Sequence, residues 1–200
     1  MHEAIAEFSS REFYEGELLA DATVATHRLC DLPGVRTEPL TEQPLQFLDT
    51  AGACFEDEVE PDGESRRNPQ EASLVAKKVR VLLESGLPSN DIAVIAPYAA
   101  QVRLLREMLP IEGLEIDSVD GFQGREKEAV VLSLVRSNNE GEIGFLADVR
   151  RLNVALTRAR RKLLVIGDSA TLAVLPFYRR LFEYFEERGA YQTVWAEEMT

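Results

Sequence analysis

Unbroken apolar runs alternate with spaced apolar stripes along this chain. Ile92–Ala96, residues 129–132 (AVVL) and residues 163–166 (LLVI) lack polar residues at alternate positions. A strand with one wet face would alternate, so these runs predict strands covered on both faces, the second extending over 130–135. Shorter runs fall at 45–48 and 114–116. The stripes predict helices. Residues 1–15 place Ile5, Phe8 and Glu12 near one face before Gly16. Asn68, Pro69 and Glu71 supply a cap, a first-turn proline and an acid three residues after the cap. Ala72, Val75, Val79, Leu82 and Leu83 then recur at helical spacing until Gly86. Further helices are predicted over 100–109, 149–160 and 177–188. Turns fall at Pro33-Gly34, Pro39 and Pro44.

Strand and helix in alternation, with fully apolar strands, predict an α/β fold: a mainly parallel sheet with helices on both faces. Such sheets bind ligands where loops leave the carboxyl ends of strands. That rule directs attention to residues 97–101, 118–128, 137–144 and 167–169.

The length, 200 residues, suits a single domain. No apolar run approaches the ~18 residues that cross a bilayer, and the opening Met1-His2-Glu3-Ala4 is not a secretory signal. Two cysteines, Cys30 and Cys54, make neither a disulfide framework nor a zinc site, and a cytoplasmic, reducing setting is the expectation. Two histidines, His2 and His27, offer no histidine-based metal site. The net charge of -13 argues against a phosphate-bearing partner, but it is an average that local clusters oppose. Residues 54–68 (CFEDEVEPDGESRRN) are expected as an acidic, solvated loop without calcium-site spacing.

Three segments carry chemistry. In SVDGFQGREKE (118–128), two glycines stand among acceptors, an amide and two cations. That composition suits a loop reading hydroxyls and phosphates, or a polar connection with turn glycines. In RRLNVALTRARRK (150–162), six cations stand without an acid. Read as a helix, it packs Leu152, Ala155, Leu156 and Ala159 inward and sets Arg151 and Arg158 along one border. A guanidinium held there can stabilise a phosphoryl-transfer transition state; the alternatives are a solvated basic helix or one paired with the acidic loop. In IAVIAPYAAQ (92–101), a buried strand ends and a helix begins. Free N–H groups at that start suit a phosphate, and Tyr98 suits a base, unless the tyrosine packs on the rim.

The segments SVDGFQGREKEAVVLSLVRSN and GFLADVRRLNVALTRARRKLLVIGD resemble motifs V and VI of superfamily 1 helicases in the Upf-like (superfamily 1B) group. FLDTAG and DIAVIAPYAAQVRLLR resemble the immunoglobulin mu-binding protein 2 type within it, and MHEAIAEFSSREFYEGEL resembles the stretch after QYR in that family's QYRMH motif. The resemblance implies a RecA-like fold of the P-loop NTPase type. It implies that Arg158 is the arginine finger that meets the γ-phosphate of ATP, and that Glu126 hydrogen-bonds the ribose. It implies that Gly124, flanked by Gln123 and Arg125, lets the loop approach the phosphate. It also places Pro97, Tyr98, Gln101, Ser118, Val119 and Asp120 near a single strand of DNA or RNA, with Arg151 supporting the finger or the strand contacts.

The chain departs from the family in lacking any G-x-x-x-x-G-K-[ST] phosphate loop and any acidic pair that would hold Mg²⁺. Residues 1–200 are therefore expected to be a single second RecA-like domain, with 1–22 as a lead-in from the domain joint. A first RecA-like domain would be its partner, holding the phosphates and Mg²⁺. The implied function is the C-terminal motor half of an ATP-dependent 5′→3′ helicase, inactive as an ATPase alone. The other reading is a non-enzymatic nucleic-acid- or partner-binding module.

Overall fold

The computed structural model describes residues 1–61 and 63–197. Helix α1 (Glu3–Phe13) and a short turn of helix α2 (Pro39–Glu42) precede strand β1 (Leu45–Asp49). Two short strands, β2 (Glu58–Val59) and β3 (Arg66–Arg67), lead into α3 (Pro69–Glu84). Then come β4 (Ile92–Ala96), α4 (Ala99–Met108), β5 (Glu115–Ser118), β6 (Lys127–Ser133) and α5 (Val149–Leu156). Beyond them lie β7 (Ala159–Gly167), α6 (Ser169–Leu172), α7 (Pro176–Glu187), β8 (Tyr191–Thr193) and α8 (Val194–Glu197).

Six strands form one sheet in the order β5-β4-β6-β7-β1-β8, and every neighbouring pair is parallel. The predicted α/β architecture is therefore present, and the apolar runs are its central strands. Their successive side chains serve two cores. Ala93, Ile95, Val130, Leu132, Leu163 and Val165 pack with residues of α1, α5 and α7. Ile92, Val94, Ala96, Val131, Leu164 and Ile166 pack with residues of α3 and α4. Each of the larger side chains stabilises the fold by roughly 1.5–3 kcal/mol, which is why the runs tolerate no polar residue. Helix α3 begins as its signals predict, with Asn68 accepting the Glu71 N–H at 2.9 Å. It stops at Gly86, whose φ is +97° and where a Cβ would lie 2.2 Å from the Gly34 carbonyl oxygen.

The connection from β5 to β6 joins opposite ends of the sheet. It leaves the carboxyl end of β5, crosses the α5 face and re-enters at the amino end of β6. Phe122, wholly buried with residues of α5, pins it in mid-crossing. One connection thus reaches both ends of strands that are about 20 Å long.

Several expectations are corrected. The helix predicted over 149–160 ends at Leu156. The Thr157 hydroxyl donates back to Asn153 O (3.0 Å), the chain turns, and β7 starts at Ala159. The cationic start of that strand hides its period. Residues 54–68 are not merely a solvated loop. The β2–β3 hairpin is antiparallel, and the side chain of Asp57 is fully buried. It accepts from Arg66 (2.6 Å), Arg136 (3.1 Å) and the Ser137 N–H (2.9 Å).

Candidate functional site

Two groups of residues stand at opposite ends of the sheet. At the amino ends of β6 and β7, the Lys127 N–H donates to Arg158 O (3.1 Å) and joins the two segments. Arg158 lies in the turn between α5 and β7, half-buried. Its Nε donates to Val154 O (2.8 Å), one Nη to Thr157 Oγ1 (3.0 Å) and the other to Arg125 O (3.5 Å). All three acceptors are neutral. Arg151, Arg160 and Arg161 each hold a carboxylate, whereas Arg158 and the exposed Arg150 have none among the described residues, and of these two only Arg158 is half-buried and held by neutral acceptors. Its position is fixed while its charge stays unspent.

Glu126 is exposed and pairs with Arg160 (3.2 Å). Gly124 has φ +79° and open space where a Cβ would stand, with nothing among the described residues within 4 Å. Gln123 is exposed beside it. Arg125 does not join this group. Its guanidinium binds Glu115 and Asp117 (3.0 Å each) and lies 4.7 Å from the Phe122 ring centroid. Two carboxylates already pair with it, so the guanidinium that the family likeness set beside Gly124 is turned toward β5.

At the carboxyl ends of β4 and β5, one groove brings together Pro97, Ser118, Val119, Asp120 and Arg151, with Phe145 and Asp148 on its rim. Arg151 is shared between Asp120 (3.7 Å) and Asp148 (3.5 Å). Two expected contacts are absent from this groove. Gln101 is 0% exposed and is bonded to Asn68 N (2.9 Å) and Ser133 Oγ (3.0 Å), so its amide ties α4 to α3 and β6 rather than facing a strand. The Tyr98 ring is also buried, its hydroxyl donating to Ile143 O (3.4 Å) and accepting from the Phe145 N–H (3.3 Å). It cannot stack on a base. Phe145 can: it is 61% exposed, and its ring centroid lies 5.4 Å from that of Tyr98. At the start of α4 the Ala100 N–H is already taken, donating to Ser65 Oγ (3.1 Å).

Phe145 and Arg160 are the residues that sequence reasoning missed. An apolar residue between Gly144 and the cap Asp148 was the signal for the first. For the second it was the matched spacing of Glu126-x-Glu128 and Arg158-x-Arg160, the period of a strand. Among the described residues the acidic loop makes no ion pair with the basic segment. Its carboxylates bind Arg66, Arg67, Arg103 and Arg136.

A family model described as an AAA domain matches residues 1–170. The chain belongs to this AAA-domain family. It is 50% identical over 195 residues to the DNA-binding protein SMUBP-2 of Rattus norvegicus, covering 96% of this chain and 20% of that protein. It is 45% identical to the DNA polymerase alpha-associated DNA helicase A of Schizosaccharomyces pombe, covering 94% of this chain and 30% of that one. Identity to the regulator of nonsense transcripts 1 homolog of Arabidopsis thaliana is 37%, over 94% of this chain and 15% of that one. The chain thus spans a third or less of these relatives' lengths. The crystal structure of the C-terminal domain of a possible DNA helicase from Lactobacillus plantarum superposes with a TM-score of 0.54 at 13% identity, covering 96% of this chain and 95% of that one. At that identity the likeness concerns the fold: this AAA domain has the architecture of a helicase C-terminal domain. The likeness to Upf-like superfamily 1 helicases, read from motifs V and VI, extends along nearly the whole chain.

Proposed function

We propose that this chain is the second motor domain of an ATP-dependent 5′→3′ helicase acting on DNA or RNA. One observation carries the proposal: Arg158 is half-buried and held by three neutral acceptors with no carboxylate among the described residues, in a segment where Arg151, Arg160 and Arg161 all hold one, and it reaches the carbonyl of Arg125, the residue after Gly124. A fixed, unspent cation on a rim is built to meet an anion from outside the chain.

The residues present fit the outer half of a nucleoside triphosphate. Glu126 carries acceptor-only oxygens suited to a pair of ribose hydroxyls. Arg158 keeps N–H groups beyond those bonded to Val154, Thr157 and Arg125. Nothing in the sequence cradles the inner phosphates or Mg²⁺, so those fall to a first RecA-like domain facing this one. Bound ATP supplies the phosphoanhydride whose hydrolysis drives the motor. In this reading Arg158 offsets the negative charge that builds on the transferring group, and a finger of this kind contributes ~10³–10⁵ in rate. Phe145 offers its face to a base of the single strand, and Ser118 and Pro97 border the path. Asp120 and Asp148 oppose close approach of the phosphate backbone there, so stacking outweighs charge in holding the strand on this domain. The proposed setting is the cytoplasm, where a reducing poise suits the two free cysteines, Cys30 and Cys54. No helix among the described residues is long and apolar enough to cross a membrane.

The purified chain is expected to hydrolyse no ATP, with or without single-stranded DNA or RNA, and to gain strand-stimulated turnover when a first domain is supplied. Robust turnover by the chain alone would contradict the proposal. Strand binding indifferent to both nucleotide and first domain would favour a non-enzymatic binding module.

A further inference from the structure

The amino ends of β6 and β7 hold three arginines, Arg158, Arg160 and Arg161, against two glutamates, Glu126 and Glu128. Which arginine stays unpaired is decided by the register. Lys127 is paired with Ala159, which sets Glu126 level with Arg158. The Arg158 guanidinium is already 3.5 Å from Arg125 O, the carbonyl of the peptide that begins Glu126. Glu126 is half-exposed and bears a long, mobile side chain. By register alone, the nearest cation for it is the finger.

The structure shows another pairing. The next registered pair is Ala129 with Lys162, so Arg160 and Arg161 together face the single Glu128 across a bulge. Arg161 takes one oxygen of Glu128 at 2.7 Å. Arg160 reaches the other at 3.3 Å and extends its Nε to Glu126 at 3.2 Å. Its backbone is fixed as well, since Arg160 O accepts the His2 N–H (2.7 Å).

We propose that Arg160 is a positioning residue that keeps Glu126 from quenching the finger. The proposal rests on Arg158 acting as that finger and Glu126 as the ribose contact. Arg160 occupies the Glu126 carboxylate and holds it to one side, which leaves Arg158 with neutral acceptors only. Without Arg160, Arg161 retains Glu128, and Glu126 turns to Arg158. The domain then approaches the nucleotide with its finger already paired.

The test has two arms. In the chain joined to a first domain, Arg160→Ala lowers kcat by up to about fivefold, the range of one exposed ion pair. Adding Glu126→Gln to that variant returns kcat to within about twofold of Glu126→Gln alone, because an uncharged amide no longer captures the finger. A merely structural Arg160 predicts that Arg160→Ala lowers kcat by the same factor in the Glu126→Gln background as in the parent. Arg160→Gln serves as the second variant should the alanine impair folding. The other arm needs no turnover. In the ¹⁵N-labelled chain, Glu126→Gln shifts the Arg160 Nε–H resonance and spares that of Arg158. In an Arg160→Ala background the same change shifts Arg158. An Arg158 resonance indifferent to residue 126 in that background, or an Arg160→Ala penalty on kcat undiminished in the Glu126→Gln background, would overturn the proposal. Full turnover by Arg158→Ala would instead refute the finger assignment beneath it, which is a separate result.

Discussion

Replacing Glu71 by glutamine perturbs a carboxyl group sealed between α3 and β6. Glu71 is 0% exposed; its Oε1 accepts from Ser133 Oγ and from the Val135 N–H at 2.9 Å, and its Oε2 has no partner among the described residues. Burial pushes its pKa from the ordinary 4.5 up to about 7, against those two hydrogen bonds, which pull it down. Between the two values the folded protein keeps a proton that the unfolded chain has released. Its contribution to stability is therefore full below pH 4.5 and is lost as pH rises through about 7. At about 1.4 kcal/mol per unit the whole loss is about 3 kcal/mol. The glutamine of Glu71→Gln keeps the shape and does not titrate. The stability difference between variant and wild type is thus expected to move by about 2 kcal/mol in the variant's favour between pH 5.5 and 7.5, a window above the isoelectric point of about 4.7. Urea unfolding at fixed ionic strength reads it through the midpoint, with an unchanged slope against denaturant. Other titrating groups cancel in the difference. Parallel pH profiles for the two proteins would show that Glu71 is ionised in the fold and would refute the reasoning. The site matters because the same network holds Val135, a β-branched residue, at φ +71°.

Lys162 is wholly buried, with its amine 3.0 Å from Gln43 O and 3.0 Å from Gln46 Oε1, and burial, aided by Lys78, lowers its pKa to about 7. Its contribution to stability is present above the unfolded value and lost as pH falls through about 7, so the stability of Lys162→Met relative to the parent is expected to rise by about 4 kcal/mol from pH 10 to pH 6, offset at every pH by the acceptors of Gln43 and Gln46 left unpaired, as read by thermal melts. Gln101→Ala leaves the Asn68 N–H and the Ser133 hydroxyl each short of a partner and is expected to cost about 1–3 kcal/mol in urea unfolding without changing single-strand affinity. Phe145→Ala, assayed in the joined two-domain protein by fluorescence anisotropy, is expected to weaken single-strand binding about tenfold while the salt dependence stays as it was.

The fold was legible wherever burial acts on both faces of a strand. AVVL and LLVI have one reading, because each position meets a core. Legibility failed where an element is short or cationic. Tyr191–Thr193 is three half-buried residues at the sheet edge, and the start of β7 is written Ala-Arg-Arg-Lys, with residues facing water or hidden beneath the sheet. The site was legible in its motif residues and misleading in its details. Tyr98 and Gln101 come just after a strand end, as ligand-binding residues do, yet the hydrogen bonds that bury them join segments 33 to 47 positions apart, which no local pattern records. The rule that ligands gather at carboxyl ends located the groove. It does not locate Arg158 and Glu126, which the crossing connection and the turn before β7 deliver to the other end.

The central claim is that the Arg158 guanidinium acts across a cleft on a nucleotide held by another domain. The most direct measurement is single-turnover ATP hydrolysis by the joined two-domain protein carrying Arg158→Ala or Arg158→Lys, with nucleotide saturating. The chemical step is expected to slow by at least about 10³ in the alanine variant while nucleotide still binds, and lysine, which lacks the planar fork, is expected to restore little of it. A chemical step in Arg158→Ala as fast as in the parent protein would contradict that claim.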